Sequence, residues 1–102
     1  VSISSVEINV PDAVAVSVTD ETLTVELADG RTISVPLGWY PRLEHGTPSE
    51  RNDWRLIGGG EGINWPRLDE HISVEGLLAG RASQEGQASL KKWLAARTKG
   101  ED

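Results

Sequence analysis

"TLTVELADGRTISVPL", residues 22–37, decides the fold. Leu23, Val25 and Leu27 alternate with Thr22, Thr24 and Glu26, and after Asp29-Gly30 the alternation resumes at Ile33, Val35 and Leu37. An apolar residue at every second position is the pattern of a strand with one face buried. Asp-Gly between two such runs is the strongest short-range hairpin signal, since a type I′ turn needs positive φ at both central positions. Upstream, "AVAVSVT" (13–19) sets Val14, Val16 and Val18 on one face and runs into the polar turn "TDET". Residues 13–36 are therefore predicted to form a three-stranded antiparallel meander. Pro36, which has no N–H for a ladder, is expected to end the third strand or to sit on an edge. "SSVEINV" (4–10) aligns Val6, Ile8 and Val10 as one more extended segment, broken from the meander by Pro11-Asp12.

Beyond the meander the period changes. Pro41 suits the first turn of a helix, which Gly46 ends. Thr47-Pro48-Ser49-Glu50 carries a capping box, with Thr47 as N-cap and Glu50 three residues on. "WRLIG" and "GINW" read as two short strands, Trp54–Ile57 and Ile63–Trp65, and their tryptophans are expected in the core. "ISVEGLLAG" reads as a helical turn capped by Ser73 and ended by Gly80. In the last segment Leu90, Trp93, Leu94 and Arg97 form one helical stripe, with Ser83 as the expected cap and "TKGED" as a tail. The whole is α+β: a small antiparallel sheet, made of the meander plus a short hairpin, with short helices and a C-terminal helix. It divides into an N-terminal extended segment (1–12), a core (13–80) and a C-terminal helix with tail (81–102).

The chain has 102 residues, which suits one domain with a modest core. With no Phe or Met, the four tryptophans carry much of the packing. The absence of cysteine excludes disulfides and thiolate chemistry and fits a reducing, cytoplasmic setting. No apolar run approaches the ~20 residues of a membrane span. The net charge of −6 is uneven: residues 1–50 carry eight acids against Arg31 and Arg42, whereas the second half balances. An acidic half disfavours direct nucleic-acid binding and favours a basic partner or simple solubility.

"GGGEG", residues 58–62, is the stretch closest in composition to a phosphate-cradling loop. It lacks the third glycine of a dinucleotide fingerprint and the Lys-Ser/Thr of a phosphate loop, and a strand and a proline follow it in place of a helix. It reads as a hairpin loop whose glycines permit positive φ or close backbone approach. His45 and His71 have no metal-binding spacing, and no cofactor is expected. Asp69 and Glu70, adjacent on one segment, point apart and read most simply as acids near a helix start. Lys91, Lys92, Arg97 and Lys99 complement the end of the last helix.

"VELADGRTISVPLGWYPRL" followed by "WRLIGGGEGINWPRLDEHISVEGLLAG" resembles the bacterial family called domain of unknown function 2442. The resemblance covers about residues 13–80 and implies a compact α+β fold with a small antiparallel sheet. It implies no catalytic residues. It does imply an antitoxin-like role for some members, others carrying a DNA-binding domain for which the residues after Gly80 are too few. The expectation is therefore a non-enzymatic, antitoxin-like module that caps or inhibits a basic protein such as a cognate toxin. Its expected docking residues are Trp39, Tyr40 and Arg42, an aromatic and arginine patch of the kind enriched at hot spots, with Asp69, Glu70 and Glu75. Two alternatives belong to other classes. One is an acidic phage- or plasmid-borne inhibitor imitating nucleic acid. The other is a hydrolase or nucleic-acid-processing enzyme with its site near residues 65–75.

Overall fold

The computed structural model describes residues 9–100, with side chains described through residue 97. The expected N-terminal strand therefore falls largely outside the described residues. Two three-stranded antiparallel sheets build the body. The first has the order β1 (Ala13–Val18), β2 (Thr22–Leu27), β3 (Thr32–Pro36); the second has β4 (Arg55–Ile57), β5 (Gly62–Trp65), β6 (Glu70–Ser73). Between them lie a 3-10 turn (Leu37–Trp39), α1 (Pro41–Glu44) and α2 (Pro48–Arg51). After β6 come α3 (Val74–Leu78) and α4 (Gln87–Gly100). The fold class is α+β, as the alternation of periods predicts.

The meander stands where it was expected, with two corrections. Asp29 does not take positive φ; only Gly30 does, at 96°. Gly30 N–H donates to Leu27 O and Leu27 N–H to Arg31 O, which makes the three-residue hairpin loop in place of a type I′ turn. The second correction concerns Val14. Ala13 faces Leu27 and Ala15 faces Glu26, so Val14 is the extra residue of a β-bulge. The bulge changes the phase: Ala13, Val16 and Val18 turn to the core, and Val14 is 54% exposed.

The second sheet adds a strand that the sequence reading missed. β6 pairs with β5 from Gly62↔Ser73 to Trp65↔Glu70. Asp69 thus precedes a strand that Glu70 begins, and the acid in the first turn of α3 is Glu75. The caps match expectation. Thr47 and Glu50 form the capping box on α2, and Ser73 Oγ accepts from Gly76 N–H. α3 ends in a Schellman arrangement, Arg81 N–H to Gly76 O and Gly80 N–H to Leu77 O, with Gly80 at φ +71°. Ser83 does not cap α4; it accepts from Glu85 N–H, and α4 begins four residues later and continues through Thr98–Gly100.

One core joins both sheets. Leu23, Val25 and Val35 meet Ile63, Trp65 and Ile72, closed by Leu43, Leu68 and Val74. Trp65 is fully buried, its indole N–H donating to Arg51 O, while Trp54 is only half-buried against the core rim. Arg51, itself buried, donates to the carbonyls of Leu43 and Glu44 at 2.8 and 2.7 Å and pairs with Asp20 at 2.8 Å. It fastens the end of α1 to the β1–β2 turn. The glycine loop is the other fastening. Gly60 is buried, and its O accepts from Ala13 N–H at 2.7 Å. A Cβ there would lie 2.5 Å from Ala13 O, at φ +116°. "GGGEG" is thus a turn that lets the two sheets meet.

Candidate functional site

A groove of about 360 Å³ opens beside the second sheet. One wall is β6, where Glu70 shares the core-facing side with Ile72 while His71 and Ser73 face the opposite way. The other wall is the linker Arg81–Gln84, held by Ser83 N–H on Trp39 O at 2.9 Å. The floor is Tyr40, whose hydroxyl donates to Arg81 O at 3.2 Å.

Glu70 is half-buried here, and among the described residues no ion pair reaches it. Burial pushes its carboxyl above the ordinary value; the His71 N–H and the charge of Arg42 act against this, and Glu85 and Asp69 add to it. Burial also raises the Tyr40 hydroxyl, with Glu70 contributing. The nearest cation is already engaged. Arg42 Nε and Nη2 hold Glu85 in a two-point pair at 2.8 and 2.6 Å, and Nη1 donates to Asp69 O and Oδ2 at 3.2 Å. Asp69 sits at φ +50° with its carboxylate 91% exposed. Glu75 and Arg81 form an exposed pair at 3.4 Å on the rim.

The expected docking residues are therefore brought together only in part. Of the three acids, Glu70 lines the groove, Asp69 precedes Glu70 in the chain, and Glu75 reaches the groove only through its pair with Arg81. Tyr40 is not a surface hot spot: it is 4% exposed and belongs to the core, because its ring closes the space under β6. Trp39 is half-buried against the core. Arg42 is the structural tie that holds α4: its guanidinium lies 5.1 Å from the Trp93 ring centroid, and Arg97 lies 4.7 Å from the same ring. Arg97 also pairs with Glu50 through both Nη atoms at 2.9 and 2.8 Å. Sequence reasoning missed Glu85 and Arg81, which no local pattern marks. Among the described residues, no three His, Cys, Asp or Glu side chains are placed to hold a metal, and no helix is long and apolar enough to cross a membrane.

A family model described as "Protein of unknown function (DUF2442)" matches residues 13–83. A crystal structure of a protein of unknown function from Rhodospirillum rubrum is similar at 26% identity and a TM-score of 0.65, over 76% of this chain and 95% of that one. An uncharacterised protein from Chromobacterium violaceum, solved by NMR, shares the fold at 22% identity and a TM-score of 0.62, over 84% of this chain and 75% of that one. No curated protein matches the sequence.

Proposed function

Because the chain belongs to the DUF2442 family, whose function is unknown, its role has to be read from its own surface, and we propose that it is a non-enzymatic protein-binding module. In this reading it caps or inhibits a basic partner protein in the manner of an antitoxin, in the cytoplasm. The observation that carries the reading is the direction of the charges in residues 12–51. Arg31, Arg42 and Arg51 are each ion-paired within the chain, to Asp29, to Glu85 and Asp69, and to Asp20. Asp12, Glu21, Glu26 and Glu44 stay exposed with no ion pair among the described residues. Such a field speeds capture of a basic partner and makes association sensitive to salt.

The test is a pull-down from the host followed by calorimetry. The triple variant Glu21→Lys, Glu26→Lys, Glu44→Lys is expected to bind the captured protein at least about tenfold more weakly, and added salt is expected to weaken the wild-type complex. Equal affinity of the variant, or indifference to salt, would refute the reading. A second reading, an enzyme acting near residues 65–75, has one observation in its favour: the Glu70 carboxyl, raised by burial, lines a groove. It requires a turnover that Glu70→Gln abolishes.

A further inference from the structure

We infer that the groove beside β6 is a socket for one cationic side chain, a lysine or arginine presented by the partner, with Glu70 as its counter-charge. This rests on the basic-partner reading above and names the point of contact.

Glu70 lies on the core-facing side of its strand, so its carboxylate is drawn partly out of water. A carboxylate in that position destabilises the fold unless a cation or hydrogen bonds compensate it. Arg42 has three of its nitrogens committed to Glu85 and Asp69. Arg81 stands on the rim, where Glu75 engages it. The His71 N–H and the charge of Arg42 offset the burial of Glu70 only in part, and among the described residues no ion pair reaches it. At about 360 Å³ the groove sits at the small end of ligand pockets, with room for one long side chain and its flanking backbone. Its occupant would lie between β6 and the Arg81–Gln84 linker, beside Glu70, with the exposed Asp69 carboxylate next to Glu70 in the chain. With one carboxylate inside and no group of metal-ligating side chains among the described residues, the donor set suits an organic cation better than a metal ion.

The probes are N-acetyl-Gly-Arg-Gly-amide, its lysine analogue, and the isosteric neutral peptide with citrulline in place of arginine, each titrated into the full chain and followed by amide shifts. The charged peptides are expected to give saturable shifts confined to residues 70–73 and 81–84. Citrulline is expected to bind at least about tenfold more weakly, because the ionised partner would be lost. In Glu70→Gln the response to the charged peptides is expected to vanish. Equal shifts from citrulline and arginine, or shifts that persist in Glu70→Gln, would overturn the socket. The citrulline comparison uses the wild type and so does not depend on the variant folding. A host partner held equally by wild type and Glu70→Gln would sink the socket and leave the protein-binding reading standing. Arginine bound in the socket, with partner affinity indifferent to salt, would sink the reading alone.

Discussion

The two-sheet body and α4 are held by different forces. In the body, Leu23, Val25, Ile63, Trp65 and Leu68 are fully buried against one another, and the polar fastenings at Arg51 and Gly60 lie inside or beneath that apolar mass. α4 has no such mass. Leu90, Trp93 and Leu94 are half-buried, and the described polar contacts that tie it down are Arg97 with Glu50, Arg42 with Trp93, and Ser89 with Glu85 beside Arg42. Apolar burial is non-directional and is not weakened by ionic screening, whereas ion pairs are weakened by salt and by acid. The body should therefore unfold as a unit, and α4 should loosen by itself.

The strongest way to break this contrast is to remove one tryptophan from each side. Trp65→Ala, in the core, is expected to cost about 3–5 kcal/mol. Trp93→Ala removes two cation–π contacts and is expected to cost only about 1–2 kcal/mol. Urea titration of both variants decides it, and equal losses would mean that α4 is part of the core.

Next comes the fastening between the sheets. Gly60→Ala meets both positive φ and the Ala13 carbonyl, and is expected to cost about 1–3 kcal/mol in strain alone. Gly59, at φ +73°, has nothing within 4 Å of an added Cβ, so Gly59→Ala is expected to cost about 1 kcal/mol. Thermal melts of the pair that coincide would show that the close approach to β1 contributes nothing.

The smallest expected effect is acid loosening of α4. Hydrogen bonds from Arg97, opposed by burial and aided by the Thr47 N–H, hold the Glu50 carboxyl at about 2 against a usual 4.5. Arg42 lowers Glu85 in the same direction. A carboxylate lowered in the folded state adds stability that is complete above the unfolded value and is lost as pH falls toward the folded one. Between pH 4.5 and about 2, amides of α4 should lose hydrogen-exchange protection before those of β2 and β5. Glu70 is shifted the other way, so acid relieves its burial and spares the body. Simultaneous loss of protection in both regions would erase the distinction.

The groove was less legible in sequence than the sheets. Clustering marks Asp69, Glu70 and Glu75 in the sequence, and of these Glu70 lines the groove. Tyr40 and Arg42 were misread as a free patch, because an aromatic beside an arginine looks the same in sequence whether it points to solvent or to a neighbour. What turns Tyr40 inward is β6, a strand of four residues with too little alternation to declare itself before β5 is beside it.

The sequence by itself determined the features whose cause lies within a few residues: the alternation of β2 and β3, the capping box at Thr47 and Glu50, the Ser73 cap and Gly80 stop of α3, and the positive-φ glycine turn of "GGGEG". These are set by local backbone sterics and short hydrogen bonds, which residue type and spacing state directly. Tertiary structure alone decided the Val14 bulge, the pairing of β6, the burial of Tyr40, the commitment of Arg42 to Glu85 and the partial burial of Glu70. Each depends on a partner on another element or on the solvent that such partners exclude, and neither pairing nor desolvation is written in the period of the chain.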